Sequence, residues 1–113
     1  MEIHGRVVGN VTILDLKGKL VLDEGLGQLR DAIEAARRDG HRLLLNLAAV
    51  PYIDSAGLGE IIRCYTTIRK HGGDLKLLAP NQRLVDLLGV TKLVNVFDWY
   101  GDEPSALASF SSR

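Results

Sequence analysis

Apolar and polar residues alternate from Ile3 to Val8 and again from Val11 to Lys17, and the Gly9-Asn10 pair between them suits a two-residue turn with positive φ. The chain therefore opens on a β-hairpin. Gly18 ends it, Lys19 to Leu22 read as a short further strand, and Asp23 stands at an N-cap position. The period then changes. Leu29, Ala32, Ile33 and Ala36 recur at i, i+3, i+4 and i+7 with charged residues between them, and Gly40 follows as a C-cap, which predicts an amphipathic helix. Arg42 to Leu47 is near-continuously apolar apart from Asn46, the mark of a central strand covered on both faces. Beyond the turn-like Val50-Pro51-Tyr52-Ile53, a second helix runs from about Ser55 to His71 on Leu58, Ile61, Ile62, Tyr65 and Ile68, and Gly72-Gly73 closes it. Asp74 to Leu78 is the next strand, Pro80-Asn81 opens a short helix carrying Leu84, Leu87 and Leu88, Val96 to Trp99 makes a last strand, and Asp102 to Phe110 reads as helix. Strands joined through helices pair in parallel by right-handed crossovers, so the fold class is α/β with the hairpin at one edge of a mixed sheet. Its expected core is Val11, Ile13, Leu29, Ile33, Leu43, Leu45, Ile61, Ile62, Leu75, Leu77 and Leu87.

Length and composition narrow this picture. A chain of 113 residues, 46% hydrophobic and 25% charged, is one domain spanning 1–113 that buries roughly two thirds of its unfolded surface. Fourteen basic residues balance fourteen acidic ones, which argues against a nucleic-acid partner. Apolar runs such as Leu43 to Leu45 fall far short of the roughly 20 residues a membrane crossing needs, and no basic, apolar leader opens the chain. No membrane partner is expected. The single cysteine, Cys64, accords with a reducing compartment, so the expected location is the cytoplasm. It lies outside the best apolar stripe of its helix and reads as a small, half-buried filler.

Most candidate chemistry dissolves on inspection. His4, His41 and His71 have no second ligand at metal spacing, Gly57-Leu58-Gly59 lacks the rest of a dinucleotide fingerprint, and no phosphate loop is present. Neither a metal nor a cofactor is expected. Around Ser55 only half of a serine nucleophile elbow exists, since Ile53 occupies the position of its first glycine. Arg37-Arg38 and Arg69-Lys70-His71 close helices, where cations offset the negative end of the dipole. Trp99 and Tyr100 read as core or hairpin-end packing.

One segment resists this treatment. In Asp54-Ser55-Ala56-Gly57-Leu58-Gly59-Glu60 two glycines fall in the opening of an otherwise good helix, each worth about 1 kcal/mol against Ala at an interior position. Two readings stand side by side. Asp54 caps the helix, which leaves the Ser55 hydroxyl free at the positive end of the dipole beside an accessible backbone; or Ser55 is itself the cap and the glycines merely permit tight packing.

The stretch from Leu44 to Gly59, with Val50-Pro51-Tyr52-Ile53-Asp54-Ser55-Ala56-Gly57-Leu58-Gly59 at its heart, resembles the signature of STAS domains, specifically the bacterial anti-sigma factor antagonists. The opening hairpin, Gly18-Lys19-Leu20, Leu75-Lys76-Leu77 and the Val85, Leu87, Leu88 helix follow the family's order over nearly the whole chain. That resemblance implies a sheet of four or five strands with helices packed on it and no catalytic activity. It also implies a partner switch: the unphosphorylated protein binds an anti-sigma factor that is a serine kinase and so frees the sigma factor, the kinase phosphorylates the antagonist, and a serine phosphatase restores it. By position the phosphorylated serine is Ser55, and the partner surface comprises Asp23, Asp54, Ser55, Ala56, Gly57, Leu58 and Gly59 on a monomer or weak dimer. Two positions depart from the family pattern: Asn46 stands where Asp is common, which bears on hydrogen bonding of the loop and on partner choice, and Ala48-Ala49 replace a more polar pair. Within the same fold the alternative is a constitutive scaffold subunit of a stressosome or lipid-transport assembly. Outside partner switching, the alternatives are a small hydrolase using Ser55 and a module that binds a nucleotide or lipid between strand and helix.

Overall fold

The hairpin forms where the alternation places it, with β1 (Glu2–Val8) antiparallel to β2 (Val11–Lys17) and Gly9 at φ +62° in the turn. A computed structural model describes residues 1–93 and 95–111. Beyond the hairpin, α1 (Leu26–Asp39), β3 (Arg42–Ala49), α2 (Ser55–Lys70), β4 (Asp74–Leu78), α3 (Gln82–Val90), β5 (Trp99–Tyr100) and α4 (Glu103–Phe110) alternate along the chain. The five strands form one mixed sheet in sequence order, β1-β2-β3-β4-β5, parallel from β2 onward. Because every crossover steps the same way, right-handed connections put α1, α2 and α3 on one face.

The pleat sorts the core into two layers. Leu43, Leu45 and Leu47 of β3 face the three helices and join Leu29, Ile33, Leu58, Ile61, Ile68, Leu84 and Leu88 in the larger cluster. Leu44 points the other way, to a smaller cluster of Val11, Ile13, Leu78, Ala106 and Phe110 under α4. Of the expected core, Ile62 and Leu87 are only partly buried, because α2 turns Leu58, Ile61, Cys64 and Ile68 inward and α3 turns Leu84 and Leu88 inward instead. Cys64 was expected half-buried and is instead 3% exposed: α2 is covered by both the sheet and α1, which widens its buried arc. Burial, and then the neighbouring Glu60 carboxylate, push its thiol up to about 12, so it stays protonated.

Three further local expectations are corrected. Lys19 to Leu22 form no strand; Leu20 and Val21 make isolated bridges, to Ile53 and to Glu24 and Gly25. Asp23 caps nothing, since it lies in the turn closed by reciprocal Val21 and Glu24 hydrogen bonds (2.9 and 3.0 Å), and α1 starts from Gly25 at φ +93° without a side-chain cap. A Cβ on Gly25 would lie 2.6 Å from the Lys19 carbonyl oxygen, a tertiary demand that outranks cap preference. The last strand is Trp99–Tyr100 rather than Val96 to Trp99, because only Trp99 and Tyr100 come into register with Leu77 and Leu78.

An ionic network fastens α4 to the hairpin. Arg6 donates to Asp15 (2.7 Å) and to Glu103 (2.6 Å), and Asn46 donates to the same Asp15 (2.8 Å) while accepting from the Ala48 N–H (3.1 Å). The amide at position 46 thus does what a carboxylate cannot, giving a hydrogen bond to Asp15.

Candidate functional site

The loop between β2 and α1 lies across the start of α2, and Asp54 stitches the two together. Its carboxylate accepts from the Gly57 N–H (2.8 Å), capping α2, and with its other oxygen from the Leu22 N–H (2.9 Å). Those two backbone donors, Gly57 first, hold the Asp54 carboxyl below its ordinary value. The Leu20 N–H donates to the Tyr52 carbonyl (2.9 Å), and a Cβ on Gly57 would collide with the Leu20 carbonyl oxygen. Glycine at 57 is therefore a condition of the close approach. Leu58, 3% exposed, anchors the same turn in the core.

The outward side of that turn is free of such duties. Ser55 is the first helical residue of α2, exposed, and its hydroxyl has no hydrogen-bond partner among the described residues. Asp54 is the cap, as the first reading of the segment has it, while Gly57 serves close packing, as the second has it. Gly59 is also exposed, and nothing lies within 4 Å of where its Cβ would be. Ala56 is half-buried between the two sides. Asp23, exposed, follows Leu22 in the chain, so the Leu22 to Asp54 bond holds the loop that carries it against the α2 start.

Beside Ser55 runs a groove of about 720 Å3 that the sequence did not announce, walled by Lys19, Tyr52, Asp54, Arg83, Leu87 and Val90. Tyr52 is half exposed, with the Lys19 ammonium 5.8 Å and the Arg83 guanidinium 5.5 Å from its ring centre. Asn81 ties α3 to the loop after β3: it caps α3 through the Leu84 N–H (2.9 Å) and donates to the carbonyls of Val50 (3.3 Å) and Pro51 (3.1 Å). Leu22 (74% exposed) and Val90 (80%) offer large apolar side chains to solvent on this end of the molecule. A signal for Val90 existed in the helical period, where it lies off the Leu84 and Leu88 stripe; the joining of Tyr52 to Arg83 is tertiary and had none.

What the arrangement can do chemically follows from its parts. No histidine lines the groove among the described residues; the titratable side chains beside Ser55 there include Asp54, Asp86 and Lys19. A hydroxyl at the first position of a helix, facing solvent, is open to another protein's active site and would place an added phosphate in the positive field of the helix end.

Comparison with known proteins shows what the whole chain is similar to. The family model described as the STAS domain matches residues 2–106. The chain is 32% identical over 104 residues to the anti-sigma F factor antagonist of Paenibacillus polymyxa, covering 87% of this chain and 84% of that protein. To the anti-sigma-B factor antagonist of Bacillus subtilis (strain 168) it is 34% identical over 70 residues, 62% of this chain and 64% of that protein. Among solved structures, the Bacillus cell fate determinant SpoIIAA in its phosphorylated form superposes with a TM-score of 0.74 at 18% identity, over 96% of this chain and 99% of that one, a likeness of fold.

Proposed function

The chain belongs to the STAS family, and from that premise we propose that it is an anti-sigma factor antagonist, a single domain over residues 1–113 that works by binding rather than catalysis. In its unphosphorylated form it binds an anti-sigma factor that is a serine kinase and so releases a sigma factor. Phosphorylation of Ser55 by that kinase ends the binding, and a serine phosphatase restores it. The setting is the bacterial cytoplasm; among the described residues no helix is long and apolar enough to cross a membrane. Two curated relatives carry the name of anti-sigma antagonist, which supports the class of function.

The single observation that carries the switch is the exposed Ser55 hydroxyl, without a partner of its own, at a helix start that Asp54 already caps. Because the cap does not depend on Ser55, a phosphate there changes the surface and leaves the fold standing. It adds about −1.5 to −2 charges at neutral pH. One unfavourable unit pair at 4 Å in an effective dielectric near 20 is worth about 4 kcal/mol, so even a half-screened contact of about 2 kcal/mol weakens binding more than tenfold.

The test is to incubate wild type and Ser55→Ala with the anti-sigma kinase and ATP, record intact masses, and titrate each product against the kinase with ADP. Wild type gains one phosphate and loses at least tenfold in affinity, while Ser55→Ala gains none and still binds. A phosphate on Ser55→Ala, or phosphorylated wild type that binds as tightly as the unmodified form, overturns the switch; the latter result is what a constitutive scaffold subunit would give.

A further inference from the structure

At the end of the sheet remote from Ser55, the strands begin around a second cavity, of about 360 Å3, lined among others by His41, Arg42, Arg69, Asp74, Lys76 and Phe110. The β3 strand alone, eight residues long, separates this cavity from the β3 to α2 loop by about 25 Å at roughly 3.3 Å per residue. Among the described residues its wall carries three permanent cations against one carboxylate. Asp74 answers Arg69, at 3.5 Å. Arg42 and Lys76 make no ion pair among the described residues.

Lys76 is the anomaly. It is 5% exposed, in the central part of the sheet, where a lysine is rare unless paired with an anion. What it has instead is the Ser109 hydroxyl at 2.9 Å and the faces of Phe110 and Tyr100, at 4.6 and 5.9 Å from its ammonium. A hydroxyl and two ring faces orient an ammonium, and among the described residues no carboxylate pairs with it. Register sets Arg42 opposite Asp74 and Leu44 opposite Lys76, so the guanidinium and the ammonium stand two residues apart on the α4 face of adjacent strands. The chain makes room for this arrangement: a Cβ on Gly73 would lie 2.5 Å from the His41 carbonyl oxygen, and the Asp74 N–H donates to that same oxygen at 2.7 Å, which draws the end of α2 tightly over the start of β3.

We infer that this cavity is a binding site for a phosphate-type oxyanion, which Arg42 and Arg69 would grip with their planar forks and whose charge Lys76 would balance from within the sheet. Guanidinium groups match tetrahedral oxyanions through paired N–H donors, and a dianion supplies counter-charge to a buried ammonium. The ligand comes either as free phosphate or as the phosphoryl group of a small ester, whose organic part would meet the Phe110 ring on the cavity wall. Nothing in this site depends on Ser55 or on the groove beside it.

The experiment follows backbone amide signals of the full chain by NMR while inorganic phosphate replaces chloride at constant ionic strength, with phenyl phosphate in a second series and phenol as its control. Saturable shifts confined to Gly73, Asp74, Leu75 and the end of α4 are expected, with at least tenfold weaker binding in Arg42→Gln and in Lys76→Met. Arg42 is half-buried at a strand start, so Arg42→Gln keeps the test decisive if Lys76→Met repacks the sheet. Phenyl phosphate binding more than tenfold tighter than inorganic phosphate assigns the ester, and equal affinities assign the free ion. Shifts that grow linearly over the whole surface, or an Arg42→Gln affinity within twofold of wild type, overturn the site.

Discussion

The inner and outer sides of the α2 opening carry opposite demands. On the inner side every residue has a structural duty: Asp54 binds Gly57 and Leu22 N–H groups, Gly57 lies against the Leu20 carbonyl, and Leu58 is buried beneath them. On the outer side Ser55 and Gly59 face solvent with no contact that the fold requires. Two glycines only two residues apart thus have opposite reasons for being there. The difference separates positions constrained by folding from positions the fold leaves open, and the open ones are where a partner surface is to be sought.

The largest effect that tests the division belongs to Leu58. Truncating it to Ala removes a side chain that is 3% exposed under the loop, and such core truncations cost about 2 to 5 kcal/mol. Urea denaturation of Leu58→Ala measures this, and a loss under about 1 kcal/mol would move Leu58 to the outer side. Gly57→Ala comes next. Its Cβ collides with backbone, which cannot rotate away, so the loop must shift at a cost of about 1 to 3 kcal/mol, visible as moved amide signals for Leu20 to Leu22.

Asp54 offers a pH handle on the same side. Backbone donors hold its carboxyl below the ordinary value in the folded state, so its contribution is fully present above the unfolded value and is lost as pH falls through the folded one. Asp54→Ala is expected to lower stability at neutral pH through loss of the cap, by less than either of the two preceding changes. That gap between variant and wild type narrows as the pH drops below about 4, where wild type loses the same charge. Thermal melts at neutral pH and near pH 3 check it; a gap that stays constant would show that the carboxylate form is not what Leu22 and Gly57 hold.

How much of this was legible beforehand depends on the range of the interaction. The 16-residue α2, the hairpin and the apolar β3 follow from local pattern, whereas local pattern left both Asp54 and Ser55 open as the cap of α2. Local pattern also misled: Asp23 is a good cap residue, yet Gly25 starts α1 because the Lys19 carbonyl comes too close for a side chain. Cys64 looked peripheral because helical periodicity counts one buried face, whereas α2 is covered on two sides. The Arg6 to Glu103 pair joins residues 97 apart, and neither spacing nor composition hints at it. In the candidate site the split is the same: the glycine-opened turn is written locally, while the groove beyond it has walls from α3 and from the loop after β3, which Asn81 ties together.

The smallest effect on stability is the most informative about function. Gly59, four residues after Ser55 on the same side of α2, has open space around its missing Cβ, and its φ is not positive, so Ala fits without strain. Replacing Gly by Ala in a helix stabilises by about 0.5 to 1 kcal/mol, since the unfolded chain loses freedom and the helix gains a better former. Gly59→Ala should therefore raise the melting temperature by a few degrees, the reverse of Gly57→Ala. If glycine at 59 is there to let a partner approach the α2 backbone beside Ser55, the same change that stabilises the free protein weakens its binding to the anti-sigma kinase with ADP by tenfold or more. Calorimetry of the free variant and titration against the kinase read the two quantities on one sample. A variant that is more stable and binds as tightly as wild type would remove Gly59 from the partner surface and leave only the side of the turn occupied by Ser55.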